Sequence, residues 1–321
     1  MKYFILIAVI AVFGFYSCSN SRPLQNNASA QETEVEERTA VELPEVPVEL
    51  TAPVDRANFL ITHYWDNFDF SDTAYIHLPD IAEQALANYV QILPIADKNI
   101  AEQSITALLD KAEHQKTPEM YSFFTENFEK YLYDPNSFMR NEEYYIPVAK
   151  YILTDSVTGD VEKEKARFKL EMMEKNRPGQ IAADITYTLS SGKTGTLHRL
   201  DAGYTLLMFY NPDCHTCAEN IVYLKQSPVI NKIHESGGLK VLTFYPDADL
   251  SIWQNHLKDI PASWVNGYDK NQTVLNKKVY DLKAIPTLYL LDKDKRILLK
   301  DATAQKIESY IKDHNPMLFS D

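Results

Sequence analysis

Cysteine is nearly absent from this chain: its 321 residues include only Cys18, Cys214 and Cys217. A small domain stapled by several disulfides is excluded, because such a framework needs more bridges than these can form. A zinc site would want about four ligands, and there is no second cysteine pair to complete one. His63, His77 and His114 are scattered without ligand spacing, so no metal ligand set is expected. Positive charge is also scarce. The net charge is −13, with seven acidic and two basic groups in residues 19–54, 22 and 13 in residues 55–177, and 16 of each in residues 178–321. No cationic patch stands out for a phosphate backbone, which argues against nucleic acid as a partner. Long apolar runs are missing as well. Tyr3 to Tyr16 is apolar or glycine, but at about 14 residues it falls short of the roughly 20 that a membrane span requires.

With Lys2 ahead of it, that run is expected to be a targeting segment over residues 1–17, excluded from fold reasoning. No Ala-x-Ala cleavage site follows. The stretch Phe15-Tyr16-Ser17-Cys18-Ser19-Asn20 resembles the lipobox of bacterial lipoproteins, in the looser form found in Bacteroidota. The resemblance implies that Cys18 carries lipid, becomes the mature N-terminus and attaches the protein to a membrane. The implied location is the cell envelope, facing the periplasm, with the outer membrane favoured over the inner. An ordinary secretory signal with an incidental cysteine is the alternative. Residues 19–54 hold four prolines and seven glutamates. Such a segment buries too little apolar surface to offset chain entropy, so 18–54 is expected to be a lipidated, disordered tether.

From Asp55 the chain becomes aromatic-rich and helical. Asp80 precedes the stripe Ile81, Ala85, Tyr89 and Leu93, and Asp97 precedes Ala101, Ile105, Leu108 and Ala112. Thr117-Pro118-Glu119 predicts a cap with proline at the first helical position, and a charged helix is predicted over 161–175. Residues 55–177 are therefore expected to form an all-α domain. The aromatics of Tyr64-Trp65-Asp66-Asn67-Phe68-Asp69-Phe70 tempt a ligand-binding assignment, but at this spacing they are expected to fill a core.

After Pro178-Gly179 the pattern alternates between strands and helices. A hairpin is predicted around Ser190-Ser191-Gly192-Lys193, a doubly buried strand over 204–210, and a strand over 239–245. Helices are predicted over 250–258, 273–280 and 303–313, with a further hairpin over 287–300. The end of the 204–210 strand runs on as Phe209-Tyr-Asn-Pro-Asp-Cys214-His-Thr-Cys217. A strand runs into a turn, and two cysteines spaced three apart open a helix, on one face of it. There the unpaired N–H groups and the positive helix end favour thiolate over thiol. His215 can add positive charge or a hydrogen bond, and Asp213 works against it or acts as a helix cap. One thiol can attack a disulfide and the second can resolve the product.

The hairpin, the Cys214–Cys217 pair and the step Ile285-Pro286-Thr287, in that order, resemble thioredoxin-fold oxidoreductases over residues 178–321. The similarity is to their TlpA-like, exported and membrane-anchored branch. The whole layout resembles a Bacteroidota lipoprotein family whose helical domain has no defined role. The implied fold class is α+β and multidomain: an all-α N-terminal domain, then a thioredoxin-like α/β domain with a central mixed sheet flanked by helices and an N-terminal hairpin extension. The resemblance also implies a cis bond before Pro286, beside the cysteines, with the Ile285 backbone binding the substrate strand. Cys214 is expected as nucleophile and Cys217 as resolving thiol, with no bound cofactor and no metal. The implied partners are exported proteins bearing cysteines or disulfides and an upstream redox protein. Two departures stand out: Met208 occupies the position where many relatives have a buried carboxylate, and Asn220 the position of a common glutamate, with Glu219 one place off. Alternatives are a non-enzymatic lipoprotein scaffold with a static Cys214–Cys217 disulfide, and a thiol peroxidase, against which stands Asn211 at the position of the peroxidase threonine.

Overall fold

The computed structural model describes residues 41–78, 80–115 and 117–319. The targeting segment, Cys18 and the greater part of the expected tether lie outside the described residues. Of that tether, residues 41–52 run without helix or strand, and Val41 packs against the helical core. Helix α1 (Pro53–His63) then begins two residues inside the expected spacer, with proline in its first turn, where the missing N–H has no partner to lose.

Five more helices follow: α2 (Ala82–Ile92), α3 (Lys98–Glu113), α4 (Glu119–Phe128), α5 (Glu142–Thr154) and α6 (Asp160–Met173). In α3, Ala101, Ile105, Leu108 and Ala112 are buried on one face, as their spacing predicts. Caps differ in detail from expectation. Ile81, not Asp80, precedes α2, and Pro118 occupies the cap of α4 instead of its first helical position. The aromatic cluster is core: Tyr64, Trp65, Phe68 and Phe70 are buried, and Trp65 meets Phe68 and Phe124 edge-on at 5.4 and 5.2 Å. No separate helix is predicted over α5, which carries Pro147 in its middle. Proline there removes one ladder bond, but Tyr144, Tyr145, Ile146, Val148 and Ala149 all bury, and that packing sustains the helix.

The C-terminal part comprises β1 (Thr186–Leu189), β2 (Thr194–Thr196), β3 (Tyr204–Phe209), α7 (His215–Gln226), α8 (Pro228–Glu235), β4 (Leu239–Tyr245), α9 (Leu250–Asn255), β5 (Val265–Tyr268), α10 (Thr273–Asn276), β6 (Thr287–Asp292), β7 (Ile297–Lys300), α11 (Ala304–His314) and α12 (Pro316–Phe319). One sheet runs in the order β2-β1-β5-β4-β3-β6-β7. The pairs β3–β4 and β4–β5 are parallel, and the remaining pairs are antiparallel. Side chains of a strand alternate between faces, and β3 uses both. Leu206, Met208 and Tyr210 enter the core beneath α7, α8 and α11, while Leu207 and Phe209 enter the opposite core with Tyr280 and Tyr289. That double burial explains the unbroken apolar run.

The described residues lie in one compact unit, so helices and sheet are in contact. At the junction Arg177 grips Glu143 with two hydrogen bonds of 2.9 and 2.7 Å. Asn176, at φ +52°, donates to the Val279 carbonyl at 2.8 Å and accepts from the Ala183 amide at 2.8 Å. Among the described residues, no helix is long and apolar enough to cross a membrane.

Candidate active site

Strand β3 delivers the chain to the turn 210–213, and Asn211 organises that turn. Its side-chain oxygen accepts from the Asp213 amide at 3.0 Å, its carbonyl from the Cys214 amide at 3.1 Å, and its Nδ2 donates to Asp247 at 2.8 Å. Helix α7 starts immediately afterwards with Cys214 as its N-cap. The Sγ atom of Cys214 accepts the Cys217 amide at 3.3 Å, serving one of the N–H groups that a helix start leaves without a partner. Cys214 is partly exposed and Cys217 fully buried, and both are free thiols.

A second segment arrives from 71 residues away in sequence. Register brings it there: β6 pairs antiparallel with β3, and Thr287 faces Phe209. The residues just before β6 therefore lie beside the residues just after β3. The Ile285–Pro286 bond is cis, and the Cys214 thiol donates to the Ile285 carbonyl at 3.4 Å. Thr287 Oγ1 holds the step by donating to the Ala284 carbonyl at 2.6 Å.

Burial pushes the Cys217 thiol well above its ordinary value, and the neighbouring Cys214 adds to this; only the Asn211 amide pulls the other way. Its surroundings hold no carboxylate at the Met208 position, since Met208 is itself buried core. Tyr210 and Trp253, in the same core as Cys217, donate to Asn266 Oδ1 at 2.9 and 3.1 Å, and Thr243 donates to it at 3.1 Å. Sequence reasoning singled out Asn211 only as a departure from the peroxidase pattern, not as the organiser of this turn, and it missed Asn266. An Asn-Pro-Asp turn signal existed for the first, while the second lies in β5, a strand too short to be read.

The structure thus brings Cys214, Cys217, Ile285 and Pro286 together. His215 and Asp213 have other partners: His215 is 89% exposed with Nε2 3.2 Å from Glu219, and Asp213 lies 3.9 Å from His256. The cap role considered for Asp213 belongs to Cys214 itself. Asn220 donates to the Thr216 carbonyl within α7 at 2.8 Å. Among the described residues no group of three or more His, Cys, Asp or Glu is arranged to hold a metal.

A Cys-x-x-Cys at a helix start, beside a cis-proline step on a mixed sheet, defines a thioredoxin-like protein. Comparison with solved structures agrees. A thioredoxin-like protein from Bacteroides caccae matches at 47% identity with a TM-score of 0.80, over 85% of this chain and 98% of that one. The chain belongs to this thioredoxin-like family. The C-terminal domain of an uncharacterized protein from Bacteroides fragilis is 56% identical over 42% of this chain and 97% of its own, with a TM-score of 0.42. Residues 17–176 match the family described as a domain of unknown function, DUF5106. No curated protein matches.

Proposed function

We propose that this protein is a thiol-disulfide oxidoreductase acting on exported proteins through Cys214 and Cys217. One observation carries the proposal: a partly exposed sulfur caps a helix beside the Ile285-Pro286 step, with a buried thiol one turn further on. In the cycle, the Cys214 thiolate attacks a substrate disulfide. A mixed disulfide forms, and the first substrate sulfur leaves as thiolate and takes up a proton. Cys217, having given up its proton, then attacks Cys214 Sγ. That releases the second substrate thiol and leaves a Cys214–Cys217 disulfide. Two electrons have passed to the substrate, and an upstream redox protein supplies two more to reduce the pair again. The substrate strand docks on the backbone at Ile285 and Pro286. The direction favoured is reduction or isomerisation.

The same proposal extends to location and organisation. Lys2, the apolar run and the lipobox-like sequence at Cys18 support a lipid-anchored protein facing the periplasm. Residues 55–177 would form a helical domain and residues 178–321 the redox domain. In an insulin-reduction assay the purified protein should turn over with a dithiol donor, and Cys214→Ser should abolish turnover. Cys217→Ser should accumulate a mixed disulfide. Wild-type turnover that survives Cys214→Ser would sink the proposal, and a chain with no cysteine-dependent turnover would favour a static scaffold.

A further inference from the structure

The helices meet the sheet through a buried cluster of charges. Glu142, in the first turn of α5, is 7% exposed and pairs with Lys283 and, at 2.8 Å, with Lys300. Lys283 also pairs with Asp281 at 3.0 Å. Its ammonium lies 3.6 Å from the centre of the Tyr133 ring, which is presented by the π-helical turn Glu129–Tyr133 that extends α4. Arg140 reaches Asp301 at 2.5 Å and Glu142 at 3.5 Å. Lys300 donates in addition to the carbonyls of Met173 and Lys175 at the end of α6, at 3.2 and 3.0 Å. The pairs of Glu142 with Lys283 and Lys300, and of Arg140 with Asp301, each join the helical part to the sheet part.

The position of Lys283 gives this cluster its meaning. It lies two residues before Ile285, whose carbonyl receives the Cys214 thiol. Residues 281–286 belong to neither helix nor strand, so no ladder of backbone bonds holds them. The Lys283 side chain is only 15% exposed, and an ammonium so largely withdrawn from water is held where its counter-charge is. Helix α5 supplies Glu142 from its N-terminal turn, and the Tyr133 ring covers the other side of the ammonium.

We propose that Glu142 is a positioning residue of the redox site: through Lys283 it holds the segment bearing Ile285 and Pro286 against Cys214. The helical part is then a component of substrate docking, not a spacer. The inference rests on the oxidoreductase reading, because docking at Ile285 matters only if a substrate strand binds there.

The test uses the full chain with Glu142→Gln and Lys283→Met. In the second variant Glu142 keeps Lys300 and Arg140 as counter-charges. Arg177→Gln is the control, since it loosens the same helix through Glu143 without touching residues 281–286. Both test variants should raise KM for insulin about tenfold while kcat stays within about twofold, the pattern for lost ground-state binding. Alkylation of Cys214 by iodoacetamide should proceed at the wild-type rate. Amide hydrogen exchange at Ala284, Ile285 and Thr287 should quicken at least about tenfold, the sign of local opening, and Arg177→Gln should change neither KM nor exchange. Unchanged exchange in both test variants overturns the inference, as does an equal effect in Arg177→Gln. If wild type lacks cysteine-dependent turnover, the oxidoreductase reading fails separately, and exchange still decides whether Glu142 holds the segment.

Discussion

Cys214 and Cys217 share one helical turn yet face opposite environments. The first sulfur borders solvent and the Ile285 carbonyl, while the second is buried among Met208, Tyr210 and Ile221 in the core beneath α7. Burial pushes the Cys217 thiol up, so little of it is thiolate at neutral pH, and only thiolate alkylates. At pH 7.5, reduced Cys217→Ser protein should react with iodoacetamide at least about a hundredfold faster than reduced Cys214→Ser protein. Mass spectrometry of timed aliquots measures this, and equal rates would contradict the proposed division of labour. The pair was legible in the sequence because a three-residue spacing on a helix is a local rule. The partners of His215 were not. A neighbour in sequence suggests contact with the thiol, but the helix turns His215 towards Glu219, four residues on.

Among the elements, β5 shows how a strand hides. Val265-Asn-Gly-Tyr268 is four residues long and carries a turn-like Asn-Gly, yet it pairs on both sides, with β4 and β1. Gly267 is required there by close approach. A Cβ at that position would lie 2.7 Å from Tyr187 Cβ, where neither backbone can yield easily. Gly267→Ala should therefore lower stability by about 1–3 kcal/mol, the usual cost of overpacking. Gly195→Ala meets only the far end of the same tyrosine ring, 2.4 Å from its hydroxyl. That end can swing away, so the loss should be smaller. Urea unfolding of both variants checks the order, and a reversed order would mean that Tyr187 is free to move. Helix α5 makes the complementary point: Pro147 reads as a breaker, and only burial against α3 and α6 keeps the helix whole.

At the scale of the whole molecule, the charge cluster between helices and sheet sets a pH response. Burial pushes the Asp301 carboxyl up and the Glu142 charge adds to this; the Arg140 guanidinium opposes both, leaving it at about 6. The guanidinium is close but does not present a hydrogen bond to the carboxylate, so burial prevails. A proton held by the folded state and released on unfolding stabilises at low pH. This contribution is complete below the ordinary value of 3.8 and is lost as pH rises through about 6. Glu142 behaves oppositely. Burial would raise it, but Lys300 and Lys283 bring it down to about 2, so its contribution holds above the ordinary 4.5 and fades as pH falls towards 2. The contribution of these two carboxyls to stability should peak near pH 4–5 and fall by an amount on the order of 2 kcal/mol by pH 7. Asp301→Asn should remove the fall above the peak, and Glu142→Gln the fall below it. Urea midpoints across pH at constant slope test both, and a flat Asp301→Asn difference between pH 4 and 7 would refute the assignment.

The sequence by itself determined the strand-turn-helix around the cysteines, the doubly buried β3 and the amphipathic stripe of α3, because each follows from spacing along a few turns of chain. Tertiary structure decided what touches across long separations. The β3–β6 register set Ile285 beside Cys214, burial kept α5 helical through Pro147, and Glu142 met Lys283 across 141 residues. Such contacts depend on which faces pack together. Local pattern carries no record of that choice, since each face is specified only as apolar or charged and not by its partner.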